Sequence, residues 1–320
     1  MATNPSDQDL RGKLVVLLGG SGFVGTHLAQ ELLARGARLR VACRHPERAY
    51  ALKPLGSLGQ VQFAACDVTK PSTVERVLTG ADAVVNCVGA FGGNLDAIQG
   101  KGAGRIAAAA AAAGATAFVH VSANGADAES STAYARTKAE GEAAVLAAFP
   151  KATILRPSVI FGPDDNFVNM FARLIARMPA MPVFAPEAKL QPVFIDDVAL
   201  AIAAAVADPA QHGGKTYVLA GPETMSVLDL NQRIAKAQCR DASFAPLPDV
   251  ISGLIAAFGF LPFAPITRDQ WVLLKGGNTA PDKAAGFKQL GIAPRPLGLY
   301  LDRWMVQYRK HGRFYEKSAV

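Results

Sequence analysis

The sequence predicts an α/β protein: a doubly wound parallel sheet with a smaller, mostly helical C-terminal region. Three observations carry this expectation. From Lys13 to about Arg156, short β-branched runs alternate with helical stretches, the pattern of a parallel sheet covered on both faces. The first apolar run, ending at Leu18, passes into the glycine turn Gly19-Gly20-Ser21-Gly22-Phe23-Val24-Gly25, which opens an apolar helical pattern from Phe23 to Leu33. After Pro157 the alternation gives way to segments rich in proline and apolar residues.

Strands are expected at 13–19, 38–43, 60–65, 82–88, 116–121 and 152–156, each a short apolar run bounded by turn residues. The helix expected over 103–113 is almost all alanine, which has the highest helix propensity and lets a helix lie close to a sheet. Beyond Pro157, helices are expected near 166–177, 197–207 and 226–238. The chain is thus divided into a tail over 1–12, a sheet domain over 13–160 and a C-terminal region over 161–320, of which 193–220 returns to the sheet.

The glycine turn carries the first chemistry. Buried strand, glycine turn and helix, in that order, are the context of a Rossmann-type dinucleotide site. Gly19 permits the tight turn, Gly22 lets backbone approach a pyrophosphate, and Gly25 lets the helix pack closely. Ser21, Phe23 and Val24 complete the turn, where free N–H groups of the helix start face the phosphate. The bland alternative is a structural turn.

The end of the second strand selects the nucleotide. An NAD site usually places a carboxylate there, about twenty residues after the glycines, to bind the ribose 2′-hydroxyl. This chain has Ala42-Cys43-Arg44 instead. Arg44, with Arg48 and His45 nearby, would bind a 2′-phosphate by charge-assisted hydrogen bonds, which favours NADPH over NADH. The alternative is that both arginines are solvated loop charges.

Composition narrows the remaining classes. The chain has 320 residues, 50% hydrophobic and 18% charged, with ample length for a core. A net charge of +7 permits an anionic partner, but no zinc-finger or RNA-binding signature appears, so nucleic acid is not expected. Four cysteines without paired spacing argue against a disulfide framework and a zinc site, and no metal is expected. The N-terminus lacks a signal or transit pattern, which points to a reducing, cytoplasmic setting of bacterial type.

The run Val250–Thr267 carries no charge, but Gly253, Gly259, Pro262 and Pro265 interrupt it, so a membrane span is not expected. It reads either as a core helix with an apolar loop or as a surface that seats on a membrane or another subunit. The basic stretch Arg303–Lys317, with Trp304, Tyr308, Phe314 and Tyr315, suits peripheral contact with an inner membrane, or an ordinary surface helix.

Tyr134 and Lys138 lie four apart, on one helix face. A nearby cation lowers a tyrosine pKa and makes the phenol a usable acid or base. Ser122 ends the preceding strand and would hydrogen-bond a substrate oxygen. Alone, such a pair is a common surface feature; behind the fifth strand of a nucleotide-binding sheet it becomes a catalytic candidate.

With these residues the chain resembles the extended, atypical short-chain dehydrogenase/reductases, of the epimerase/dehydratase type. The resemblance rests on the glycine turn, Cys66-Asp67-Val68, Asn86-Cys87-Val88-Gly89, Ser122, Tyr134, Lys138, Leu155–Pro163 and Val193–Ala199. It implies cofactor contacts from Asp67 and Val68 beside the adenine, from Cys87, Val88 and Gly89, from Tyr134 and Lys138, and from Arg156, Pro157 and Ser158. Within that family the chain is most similar to the nucleotide-binding accessory subunit of respiratory complex I and its bacterial relatives, through Phe118–Asp127, Ala133–Glu142 and Ile266-Thr-Arg-Asp-Gln270. That likeness implies NADPH held without turnover and complex I or another membrane-associated partner. The general family implies an oxidoreductase or epimerase acting on a quinone-like or other carbonyl substrate. Asp164, Asp165, Asp196 and Asp197 are further polar candidates, with Asp196 expected to be a helix N-cap.

Overall fold

The computed structural model describes residues 9–178, 180–257, 267–310 and 312. Residues 1–8 of the expected tail, 258–266 of the uncharged run, and 311 and 313–317 of the basic stretch lie outside them. The chain forms two units. The first comprises the chain through Pro157, then Ile195–Leu219 and Pro281–Ala293; the second comprises Ser158–Phe194, Ala220–Ala280 and the chain from Pro294.

In the first unit the strands are β1 (Leu14–Leu18), β2 (Arg38–Cys43), β3 (Val61–Ala65), β4 (Ala83–Asn86), β5 (Ala117–Val121) and β6 (Thr153–Pro157). Between them run helices α1 (Phe23–Ala34), α2 (Pro71–Leu78), α3 (Leu95–Gln99), α4 (Lys101–Ala112) and α5 (Ala133–Ala148). A further strand, Thr216–Leu219, pairs with β6. Across the sheet the order is Thr216–Leu219, β6, β5, β4, β1, β2, β3, with every pairing parallel. This is the doubly wound Rossmann-type sheet that the alternation predicts.

Its strands are apolar along their whole length because both faces are covered. On one face Val16, Leu18, Val84, Phe118 and Ile154 pack with Val74 and Val77 of α2, Ile106 and Ala107 of α4 and Val145 of α5. On the other lie α1 and the helix Ile195–Ala207. The alanine helix owes its composition to a close neighbour: a Cβ on Gly104 would lie 2.7 Å from that of Ala144 on α5. Small residues therefore bring helix to helix, as well as helix to sheet. Asp196 is not an N-cap. It lies in the first turn of Ile195–Ala207 and meets His27 Nδ1 of α1 at 2.7 Å.

The second unit is built from short elements. Val193–Phe194 pairs in parallel with Ile160–Phe161, Ser243–Pro246 with Ala180–Val183, and Met225–Ser226 antiparallel with Lys189–Leu190. Asp165, two residues before the helix Phe167–Arg177, accepts from Val168 N–H at 2.6 Å. Trp304 and Tyr308 of the basic stretch are engaged within this unit. Trp304 packs 6.2 Å from Phe161, and the Tyr308 hydroxyl donates to Asn169 Oδ1 at 2.9 Å. The Thr-Arg-Asp-Gln motif is a capping box: Gln270 N–H donates to Thr267 Oγ1, and Thr267 N–H to Gln270 Oε1, starting the helix Arg268–Lys275.

Candidate functional site

β1 lies where the strand order reverses, with β2 on one side and β4 on the other. In such sheets ligands bind beyond the carboxyl ends of the strands at that crevice. Gly19 follows β1 there with φ of +79°, and an added Cβ would lie 3.1 Å from the Cys87 carbonyl carbon. Both the conformation and the space require glycine. At Gly25 a Cβ would lie 2.6 Å from Gly19 O and from Gly20 Cα, so the turn and α1 can close on each other only without a side chain. Gly22 is the N-cap of α1. No side chain caps this helix and no acid lies in its first turn, which leaves an end suited to an anion. Ser21, Phe23 and Val24 are half-buried around it. Gly20, to which the sequence reading assigns no role, is as constrained as its neighbours: a Cβ would lie 2.6 Å from Val41 Cγ1 of β2.

At the end of β2, Arg44 and Arg48 are exposed, while His45 Nδ1 meets Glu47 at 3.2 Å. Asp67 accepts from Thr69 N–H and from its hydroxyl at 3.0 and 2.7 Å. These hydrogen bonds, and then the charges of Lys70 and Arg44, hold its carboxyl below the usual carboxylate range. Val68 is buried in the core.

The loop after β4 is shaped from below. Asn86 Oδ1 accepts from Val88 N–H at 3.1 Å, and its amide reaches Nδ1 of the buried His120 on β5 at 3.1 Å. Burial, with the charge of Lys138, holds the imidazole neutral, its pKa down to about 3. Burial likewise pushes the Cys87 thiol up to about 12. Gln99, fully buried at the end of α3, accepts from Ala90 N–H at 3.1 Å and donates to Thr137 Oγ1 of α5 at 2.9 Å. This clamp ties the loop to the helix that carries Tyr134 and Lys138.

Lys138 is buried, and its ammonium donates to Val121 O of β5 at 3.2 Å. An added Cβ on Gly89 would lie 3.4 Å from Lys138 Nζ, so the loop, Lys138 and the end of β5 converge. Burial lowers the Lys138 pKa to about 8. Ser122, next to Val121, is buried, and among the described residues its Oγ has no hydrogen-bond partner. Burial pushes Tyr134 up to about 12, with no offset from Lys138, which differs from the cation-lowered tyrosine that the spacing suggests. The reason is geometric: the ammonium is turned to a backbone carbonyl. The Phe91 ring stacks on that of Tyr134, with centroids 4.5 Å apart and planes 12° apart.

Three further residues expected at the cofactor have partners within the fold. Arg156 forms a forked ion pair with the buried Glu142 on α5, at 2.9 and 2.6 Å. The Pro157 carbonyl accepts from Asn124 N–H at 2.8 Å. Ser158 belongs to the second unit, where its hydroxyl donates to Gln191 O. The sequence reading missed Gln99, Phe91 and the Glu142–Arg156 pair. Glu142, four residues after Lys138 on the same helix face, was the one readable signal among them.

A glycine cradle at the switch point, an uncapped helix end, a buried ammonium with one partner and an orphaned serine hydroxyl fit a bound dinucleotide. Together they define a nucleotide-binding α/β protein. More particularly, the chain belongs to the NAD dependent epimerase/dehydratase family, whose model matches residues 15–220. Among curated proteins it is similar to subunit 9 of the NADH dehydrogenase [ubiquinone] 1 alpha subcomplex, mitochondrial. It is 30% identical to that of Arabidopsis thaliana over 94% of this chain and 79% of the relative, and 31% identical to that of Mus musculus over 90% and 78%. Among solved structures it is similar in fold to an NADPH-dependent quinone oxidoreductase from Escherichia coli, complexed with NADPH. The TM-score is 0.72 at 20% identity, covering 90% of this chain and 98% of the other. The resemblance legible in the motifs is thereby borne out.

Proposed function

We propose that the chain holds NADP(H) at the carboxyl ends of β1 and β2 and serves as a complex I accessory-subunit-like protein whose second unit meets a membrane-associated partner. The observation that carries the cofactor is Gly19, packed against Cys87 at the switch point, followed by a second strand that ends in Cys43-Arg44 without an acid. Arg44 and Arg48 are the exposed cations for a 2′-phosphate. On the partner side, the helices Asp249–Ala257 and Arg268–Lys275 are joined by Lys275 Nζ and Asp249 at 2.7 Å, with Trp271 against Gly253. Val250, Ile251 and Leu254 are left 83%, 47% and 63% exposed, an apolar patch of the kind that marks an interaction surface. No helix among the described residues is long and apolar enough to cross a membrane, which agrees with a peripheral contact.

A second reading, an NADPH-dependent reductase or epimerase, is favoured by the orphaned Ser122 Oγ and the retained Tyr134 and Lys138. A bound dihydronicotinamide would supply the hydride. Ser122 Oγ would donate to the substrate carbonyl oxygen, and the neutral Tyr134 phenol would hand its proton to that oxygen as charge develops. Lys138, leaving Val121 O, would stabilise the phenolate so formed and hold the ribose.

The test uses protein purified without added nucleotide. Denaturation followed by mass analysis identifies any released dinucleotide, while absorbance at 340 nm is followed with quinones and carbonyl compounds. Stoichiometric NADPH that no substrate oxidises supports the accessory role. An empty site that consumes NADPH with a quinone overturns it in favour of the enzyme, and recovery of NAD alone overturns the cofactor assignment.

A further inference from the structure

Phe91 is 72% exposed, yet its ring lies nearly parallel on Tyr134. A single exposed apolar side chain is ordinary; a ring held 4.5 Å from and nearly parallel to a candidate catalytic phenol calls for an account. Its backbone is fixed on one side and free on the other. Ala90 N–H is clamped by the buried Gln99, which also holds Thr137, three residues beyond Tyr134. After Phe91 come Gly92 and Gly93, the latter at φ of +79°, and an added Cβ on either would meet nothing within 4 Å. Phe91 therefore sits between an anchored residue and two glycines that bear no side chain and have open space around them, a backbone that can turn where the loop leaves the clamp.

We propose that Phe91 is a swinging aromatic cover that makes the Tyr134 site selective for a flat, conjugated carbonyl ring of the quinone type. At rest it covers the phenol. When such a ring enters with its oxygen toward Ser122 and Tyr134, Phe91 leaves the phenol and stacks on the face of the ring. A puckered, saturated ketone offers no face to stack on. The proposal rests on the hydride-transfer reading only for the place of the carbonyl oxygen; the recognition itself needs no turnover.

The test is equilibrium binding to the full chain loaded with oxidised NADP, so that no hydride is available. The probes are 1,4-naphthoquinone and the saturated ketone 1-decalone, titrated by calorimetry against wild type, Phe91→Ala, Phe91→Trp and Tyr134→Phe. Wild type is expected to prefer the quinone. Phe91→Ala is expected to weaken quinone binding about fivefold and leave decalone unchanged, with Phe91→Trp restoring the preference. Because Phe91 is exposed, Phe91→Ala should keep the wild-type melting temperature. Equal weakening of both probes, no change in either, or no quinone binding by wild type overturns the proposal. Quinone binding with the expected Phe91 pattern, but no NADPH oxidation by any variant, sinks the hydride-transfer reading and leaves the cover standing.

Discussion

Two buried charges, one in each unit, are treated in opposite ways. Asp165 in the second unit accepts from Val168 N–H, Gly162 N–H and the Asn169 amide at 2.6, 3.3 and 3.1 Å. Lys138 in the first unit has, among the described residues, a single acceptor, Val121 O at 3.2 Å, although an ammonium carries three donors. A buried charge that serves the fold is saturated with partners; one left short of them is held ready for something that comes and goes. Burial raises the Asp165 pKa against its hydrogen bonds and lowers that of Lys138, so both positions resist ionisation, and only Asp165 recovers the cost locally.

The contrast can be broken at several points. The largest effect is expected where the site has no room to yield. Gly25→Val would drive a side chain into Gly19 O and Gly20 Cα, and should weaken NADPH binding by at least about a hundredfold, on the order of 2.7 kcal/mol, by calorimetry. Asp165→Ala would strand its donors and is expected to destabilise the protein by about 2–4 kcal/mol in urea unfolding, with little effect on nucleotide affinity. Lys138→Met should do the reverse, leaving the unfolding midpoint unchanged or higher while NADPH affinity falls about tenfold. If Lys138→Met unfolds as readily as Asp165→Ala, the contrast is lost.

Acidity sharpens the same comparison. The Lys138 pKa is depressed from 10.5 to about 8, so the folded protein binds fewer protons than the unfolded chain between those values. Stability from this group therefore rises as pH climbs from 8 toward 10.5, while the ammonium available to a nucleotide is lost over the lower part of that range. NADPH affinity should drop as pH passes about 8, and Lys138→Met should show no such drop. His120, depressed from 6.5 to about 3, works at the other end. Its contribution is present above pH 6.5 and is lost as pH falls toward 3, so His120→Gln should flatten the acid limb of a pH–stability curve. The smallest effect is expected at the exposed rim: Arg44→Ala should narrow the preference for NADPH over NADH by about threefold, because solvent screens an exposed cation, read as a ratio of dissociation constants.

The sheet was largely legible because parallel strands buried on both faces leave unbroken apolar runs such as Leu14–Leu18. The seventh strand, Thr216–Leu219, falls inside the 193–220 stretch expected to return to the sheet, but its bounds could not be read: four residues with an exposed threonine at one end carry too little period to mark them. In the site, the glycine turn could be read because Gly19 and Gly25 answer local constraints that sequence spacing records. Gln99 and Phe91 answer constraints between segments, where a side chain on α3 meets a loop and a loop ring meets α5, and nothing in the neighbouring residues announces those meetings. The same holds for the direction of the Lys138 ammonium. Spacing on α5 placed it on the Tyr134 face, but a strand carbonyl took it.

The seventh strand also has a consequence for how the protein is made. β6 ends at Pro157, yet the strand that covers its outer edge is separated from it by Ser158–Phe194 of the other unit and by the helix Ile195–Ala207. The Val218 N–H on that strand donates to the Ala285 carbonyl, further still along the chain, at 2.8 Å. A ribosome therefore delivers a nearly finished sheet whose last strand stays bare until much of the remainder has emerged. That interval exposes a template for pairing with a neighbouring nascent chain, and chaperone cover would matter most there.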